Sequence, residues 1–462
     1  MYRITEFKHE KRIVPLTIPN ESDYQENTFT VIVGKNGVGK SRLLSSMVSE
    51  FIIHERVPSR YEILGDIYPI DRNEGLVIAV STSPFDKFKM PPKNRFKDSI
   101  VSTNYRYIGM RSGGPYGASA ISLISSATKG ILDRFLRNES YDRLRDVFNT
   151  LGFLPKVQLI FKPNFSSKRY IKRIDEISHI KSYIDVEWLD DLGIEVNSRT
   201  MENLNEINEN DVYKIRKAID NLGELFISEK AISIDLDFAR GEAFSINKAI
   251  FHNLGFLESI NILLNFNLIR LMDLKLHKAE YGDMSLRRAS SGEQCMLVMM
   301  LGIAGHICDN SLIFIDEPEI SLHPKWQEEF MSLLVRTFSK YRACQFFIAT
   351  HSPQIVSRLK GNNCFVTSLT KNEIYSSSHF YERSSDFQLA ELFDAPGSRN
   401  EYITRLAFAL LSKVKSKKNV QKSEMKELAR LLELCNSISH DDPIFDLIKS
   451  VEEVVQYYAS YK

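Results

Sequence analysis

Phe29-Thr30-Val31-Ile32-Val33-Gly34-Lys35-Asn36-Gly37-Val38-Gly39-Lys40-Ser41 is an apolar, β-branched run that breaks abruptly into glycine, lysine and serine. Phe29 to Val33 predicts a strand buried on both faces. Helical spacing resumes over Arg42 to His54, at Leu43, Leu44, Met47, Val48 and Phe51. Between strand and helix, Gly34 to Ser41 matches G-x-x-x-x-G-K-S, the setting in which that spacing cradles phosphates. Glycines let backbone N–H groups wrap an anion without Cβ clashes, and the helix aims its positive dipole end at the same point. Lys40 is then placed for the β- and γ-phosphates of ATP and Ser41 for Mg2+. Gly34, Asn36, Gly37, Val38, Gly39, Lys40 and Ser41, with Arg42 behind them, are the candidate nucleotide-binding residues.

Outward from this unit, Tyr2, Ile4, Phe7 and then Ile13, Val14, Leu16, Ile18 alternate as short antiparallel strands. A second buried strand is expected at Leu76 to Val80, followed by surface loops over Pro84 to Lys97 and Gly109 to Gly117. Further on, Leu312-Ile313-Phe314-Ile315-Asp316-Glu317 ends four apolar residues in two acids. That places carboxylates at the carboxyl edge of a parallel strand, where ligands of open α/β sheets bind. Asp316 is the candidate Mg2+ ligand and Glu317 the candidate base that activates water. A strand exiting into a helix cap would look similar, and the glycine loop upstream decides between the two.

In Ser290-Ser291-Gly292-Glu293-Gln294, Ser291 and Gln294 are spaced as a capping box for the apolar helix that follows. A capped helix start bearing a glycine is also an anion site, so Ser291, Gly292 and Gln294 join the nucleotide candidates. His351 follows the strand Gln345 to Ala349, where a neutral imidazole can contact a γ-phosphate and steady water.

The ordered set resembles the ABC-type ATPases: a Walker A loop at Gly34 to Ser41, a signature at Ser290 to Gln294, a Walker B strand ending in Asp316-Glu317 and a switch histidine, His351. The stretch Glu317 to Pro324 (EPEISLHP) is similar to the soluble, non-transport branch that includes RecF-like, OLD-like and anti-phage defence ATPases. The resemblance implies an α/β core with a mostly parallel sheet plus N-terminal antiparallel strands. It also implies ATP and Mg2+ as cofactors and a head-to-tail homodimer in which Ser291 and Gly292 reach the γ-phosphate of the partner. Glu293 stands where transporters usually have glycine. No glutamine lies between Gln25 and Gln158, so the Q-loop residue of the family is missing, with Ser81, Asp86 or an unrecognised group as its replacement.

The chain has 462 residues with 60 Lys+Arg against 59 Asp+Glu, a net charge of +1, and 43% hydrophobic residues. This excludes a polybasic nucleic-acid binder and leaves enough apolar residues for sizeable cores. Five scattered cysteines and a charged N-terminus suggest a reducing cytoplasm, and the longest apolar stretch, Cys295 to Gly305, is too short for a membrane. The expected organisation is residues 1–124 and 281–395 as the ATPase core, 125–280 as an inserted mixed α+β and helical subdomain, and 396–462 as a helical docking segment.

No Toprim nuclease pattern follows His351, and Asp441-Asp442 reads as a helix cap. A detached nuclease is the economical arrangement. It resembles the PtuA ATPases of Septu-type defence, whose partners are an HNH nuclease (PtuB) and in some systems a retron reverse transcriptase with its msDNA. RecF-like repair, an AriA-like ATPase of PARIS-type defence and a transporter nucleotide-binding subunit are the alternatives. For DNA or RNA contact the candidates are Lys87, Lys89, Lys93, Arg95, Lys97 and, in the insertion, Lys168, Arg169, Lys172, Arg173.

Overall fold

The computed structural model describes residues 3–19, 23, 25–56, 75–90, 100–102, 104–111, 120–137, 140–167, 194–196, 204, 209–228, 230–245, 254–280 and 282–460. The chain opens with the antiparallel hairpin β1 (Glu6–His9) and β2 (Arg12–Pro15). The wholly buried β3 (Thr28–Val33) then runs through the glycine loop into α1 (Lys40–Phe51). β4 (Val77–Ser81), β5 (Tyr105–Gly109), α2 (Ala120–Leu136) and α3 (Asp142–Thr150) follow. The central region holds β6 (Lys156–Pro163), α4 (Glu209–Ser228), β7 (Ile232–Asp237), β8 (Glu242–Ser245), α5 (Leu254–Asn265), β9 (Ile269–Lys278) and β10 (Gly282–Ser285). Next come α6 (Ser291–His306), β11 (Leu312–Asp316), α7 (Pro324–Thr337), β12 (Gln345–Ala349), α8 (Pro353–Ser357), β13 (Cys364–Ser368), β14 (Glu373–Ser376) and α9 (Ser385–Glu391). The chain closes on α10 (Glu401–Lys417), α11 (Lys422–Cys435) and α12 (Pro443–Ser460).

Seven strands form the central sheet in the order β14-β13-β3-β12-β11-β4-β5, all parallel except the edge strand β14. The fold is thus the expected α/β architecture with antiparallel N-terminal strands. Parallel strands buried on both faces need uninterrupted apolar runs, and β3, β4, β11 and β12 have them. In this order β12 alone separates β3 from β11, and register places Asp316 opposite Ala349 on one side and Ser81 on the other. The glycine loop, the acidic pair and His351 therefore leave the same sheet edge from neighbouring strands.

The second sheet, β8-β7-β6-β9-β10, is antiparallel and is built from residues between Lys156 and Ser285. It does not close a core of its own. One apolar cluster continues from Val31 and Val33 of β3, through α6, to Leu236 and Leu274 in this sheet. The reason is α6, which has no polar face: all of its residues from Gln294 to His306 are buried. α2 covers one side of it, and Arg134 donates to the carbonyl oxygens of Ala304 and Ile307, both at 3.0 Å, satisfying the helix end. The apolar stretch that is too short for a membrane is thus the pivot between the two sheets. Among the described residues no helix is long and apolar enough to cross a membrane.

His306, at the end of α6, is buried. Burial, reinforced by Arg106, Arg137 and Arg134, pulls its pKa down to about 3. The unfolded chain takes up that proton near pH 6.5 while the folded chain refuses it, so the folded state is favoured above pH 6.5 and loses ground below it. The slope is up to about 1.4 kcal/mol per pH unit from this residue. Urea denaturation at pH 7 and in the acid range should show His306→Gln with a flatter pH dependence than the wild type. Identical slopes would refute the assignment.

The helical C-terminus has a separate core, with Ile403, Ala407, Leu410 and Val414 of α10 against Leu428, Leu431, Ile448 and Val451. One sequence expectation is rotated. The spacing of Met425, Leu428, Leu432 and Cys435 predicts one inward stripe on α11, yet Met425 is 48% exposed. Glu424 turns inward instead, because its carboxylate accepts from the Gln421 backbone N–H at 3.0 Å and from Lys417 Nζ at 2.8 Å, which sets the helix rotation. Asp442 caps α12 as expected, accepting from the Ile444 N–H at 2.9 Å. The spacing of Val212, Ile215, Ile219, Leu222 and Phe226 predicts an amphipathic helix, realised in α4, whose Phe226 side chain is outside the described residues. Of the basic candidates, Lys93, Arg95, Lys97, Lys168, Arg169, Lys172 and Arg173 lie outside the described residues, as do residues 112–117 of the glycine-rich loop.

Candidate functional site

The phosphate loop is held from three directions. Gly39 has φ 101°, a left-handed conformation that costs little only without a Cβ, and it hands the chain directly to α1. Arg12 of the hairpin donates to the Val38 carbonyl at 3.3 Å and the Leu369 carbonyl at 2.7 Å, while the Lys35 N–H donates to Thr370 Oγ1 at 3.1 Å. Lys40 is 4% exposed, and its ammonium donates to the Gly34 carbonyl at 3.1 Å and to Nδ1 of His351 at 3.2 Å. Burial outweighs the pull of Glu317, Glu319 and Asp316, and its pKa falls to about 8.

Ser41 Oγ donates to Asp316 Oδ1 at 3.0 Å, which joins the first turn of α1 to the end of β11. Burial and the adjacent Glu317 raise Asp316 to about 7. A carboxylate so disfavoured needs a positive charge. A hydroxyl and a carboxylate side by side are the hard oxygen donors that Mg2+ takes from a protein when phosphate and water complete its shell. Ser41 and Asp316 fit that ion and would hold it, where it would neutralise charge on the phosphate oxygens.

Glu317 has φ 49° and ψ 55°, so the chain turns sharply at the sheet edge. Such a conformation is costly for a residue with a Cβ and marks a position held by its surroundings. Its carboxylate lies 3.6 Å from Nε2 of His351. Burial and Lys40 lower His351 to about 4, so the ring is neutral near pH 7. A neutral ring that accepts from Lys40 at Nδ1 carries its proton on Nε2, facing Glu317. Lys40, His351 and Glu317 thus form one row, as their motif spacing suggests.

Glu319 belongs to this row although the motif reading did not single it out. One carboxylate oxygen accepts from the His351 backbone N–H at 2.5 Å, and the other is buried without a partner among the described residues. Burial raises its pKa. Two glutamates one residue apart in Glu317-Pro318-Glu319 are the signal that could have exposed it.

Neither candidate for the missing glutamine is available. Asp86 is enclosed, accepting from Tyr107 Oη at 2.7 Å and from Arg111 Nε at 3.0 Å, which ties the loop after β4 to the end of β5. The Ser81 hydroxyl donates to the Asp316 carbonyl at 3.4 Å and accepts from the Ser83 N–H at 3.1 Å. Thr82, between them, carries a buried hydroxyl with no partner among the described residues.

The signature segment differs from its expected cap by one residue. Ser290, not Ser291, is the N-cap, its hydroxyl accepting from the Glu293 N–H at 3.3 Å. Gln294 is buried and donates to the Leu286 carbonyl at 2.9 Å, so it braces the approach to the helix from within and presents no amide to a ligand. Losing its box role frees Ser291, which is exposed in the first turn of α6. Gly292 is buried; a Cβ there would lie 3.2 Å from the Trp326 ring and 3.3 Å from the His323 nitrogen. This close approach seats the signature helix on the segment that follows the Walker B strand. Among the described residues, no hydrogen bond joins 290–294 to the phosphate loop of the same chain. Asn36, Gly37, Val38 and Arg42 lie at the loop and the start of α1 as their numbers require, with the Arg42 side chain 3.6 Å from Glu10.

Two comparisons agree with this geometry. A stretch of 95 residues is 27% identical to the Escherichia coli "Retron Ec83 probable ATPase", covering 18% of this chain and 17% of that protein, so the match spans far less than two thirds of the relative. The family described as AAA domain, putative AbiEii toxin, Type IV TA system matches residues 29–357, from the first residue of the decisive stretch past His351. That match covers well over half of the chain and contains every motif at the sheet edge, and the chain belongs to this family of AAA ATPases.

Proposed function

We propose that the protein binds ATP with Mg2+, dimerises head to tail around it and hydrolyses it slowly, as the sensor of a separate nuclease in anti-phage defence. The observation that carries the ATP site is the row Lys40, His351, Glu317 beside Ser41 and Asp316. Support for the sandwich comes from Ser291, exposed at a helix start and bonded to nothing in its own phosphate loop. In a dimer, ATP bound to one subunit is the natural partner of the other subunit's Ser291 and Gly292, and ATP then acts by shifting the dimer population. The partner expected is an HNH nuclease in a PtuA-like arrangement. The partial likeness to a retron ATPase favours a system that also contains a reverse transcriptase with its msDNA. The separate C-terminal helical core supplies a self-contained docking element.

Mixing variants tests the sandwich. Ser291→Arg and Lys40→Ala should each be inactive alone as ATPases. Their mixture should regain about a quarter to a half of native turnover, because one composite site per heterodimer is intact. A mixture as inactive as its components would remove the trans role. Copurification with the products of the neighbouring genes tests the effector: a nuclease supports this reading, and a membrane permease would favour transport.

A further inference from the structure

A cavity of about 670 Å³ lies where the ATPase core meets the C-terminal bundle. Lys371, Tyr375, Arg383 and Phe387 line it from the core side, Tyr402 and Arg430 from α10 and α11. It belongs to neither the phosphate loop nor the signature segment, and its volume falls in the range of small-ligand sites.

Its charges are unevenly satisfied. Glu391 is neutralised within the wall, accepting from Arg430 at 2.9 Å and from Tyr402 Oη at 3.1 Å, and Arg430 also holds Glu433 at 2.6 Å. Among the described residues Lys371 Nζ has only the Glu391 backbone carbonyl, at 2.6 Å. Arg383 is exposed, lies 5.5 Å over the Phe387 ring, and has no carboxylate partner among the described residues. Two cations without a carboxylate ion-pair partner among the described residues therefore face the cavity together with aromatic rings. Those rings meet edge to face: Phe387 and Tyr402 at 5.0 Å and 81°, Tyr375 and Phe380 at 5.4 Å and 85°. Neither pair is stacked face to face; aromatic rings are the partners on which a planar base stacks, and a guanidinium beside them suits a phosphate. An acidic peptide would use the cations and waste the rings.

We propose that this cavity is a second ligand site, for the nucleoside 5′-phosphate group of a free nucleotide or of the end of a single nucleic-acid strand. The site is wired to the first one through a single turn. Lys371 follows Leu369 and Thr370, the residues that accept from Arg12 and from the phosphate-loop Lys35. A ligand drawing on Lys371 thus pulls on the turn that braces the phosphate loop, and the coupling must be reciprocal.

The test uses the full chain and two fluorescent probes, mant-labelled AMP and a short 5′-phosphorylated oligothymidylate labelled at its 3′ end. Binding is measured on wild type and on Lys40→Ala, so that the phosphate loop is not what is read; ATP binding by Lys40→Ala is scored separately and reports on that loop alone. At least one probe should bind both proteins. Arg383→Glu, a change on the surface, and Phe387→Leu, which keeps apolar volume and removes the ring, should each weaken it about ten-fold or more. Binding of mant-AMP alone identifies a free nucleotide, and preference for the oligonucleotide identifies a strand end. The proposal is overturned if neither probe binds, if both variants bind like wild type, or if an oligoglutamate peptide binds in their place.

Discussion

Lys40→Ala is expected to lose ATP binding by about 3–4 kcal/mol, a few hundred-fold in affinity, as for truncating one partner of a buried, hydrogen-bonded charge pair. What makes the prediction specific is the cost side. Burial already holds the Lys40 pKa down to about 8 in the protein without nucleotide, with only the Gly34 carbonyl and His351 as hydrogen-bond partners among the described residues. The ammonium is thus poorly compensated until phosphate arrives, and removing it should not lower the melting temperature of the nucleotide-free protein. ATP should raise the melting temperature of the wild type and leave that of Lys40→Ala unmoved. Native affinity measured by calorimetry in the variant would remove the phosphate-loop assignment. A nucleotide-free variant that melts well below wild type would show Lys40 to be structural.

Glu317→Gln is expected to keep ATP affinity and to lose hydrolysis by about two to four powers of ten, the usual contribution of a positioned general base. Glutamine preserves the side-chain volume and can follow the same backbone turn, but it cannot take a proton from water. Nucleotide should therefore accumulate unhydrolysed, and the ATP-bound dimer with it, visible as a larger species by size-exclusion chromatography with ATP. Phosphate release at the native rate would exclude Glu317 as the base. Glu319 is the control, because its carboxylate is bonded to the His351 N–H and its second oxygen is buried nearby. If turnover survives in Glu317→Gln and collapses in Glu319→Gln, the base is Glu319.

Most of the site was legible because each part is local. A phosphate loop must interrupt a buried strand with glycine, and an acidic pair at the end of four apolar residues must emerge at a sheet edge; both are fixed by a few consecutive residues. The signature cap was displaced by one position because Ser290 and Ser291 are equally good caps in sequence. The choice fell to Gln294, which the Leu286 carbonyl draws inward. Met425 failed for a similar reason, since Lys417 and Gln421 hold Glu424 on the inner side. The engagement of Asp86 was not legible in sequence, because its partners Tyr107 and Arg111 lie more than twenty residues downstream.

By itself, then, the order of residues determined the class of fold, the identity of the phosphate loop and the acids that face it, because backbone geometry and burial dictate these over short spans. Tertiary structure alone decided the rest: that Lys40 touches His351, that Glu319 braces the histidine loop, and that the second sheet and α2 share one apolar cluster with the central sheet. It also decided that a cationic, aromatic cavity opens beside the bundle. Each of these joins residues far apart along the chain, and only the packing of α6 and the strand order of the central sheet bring them within reach.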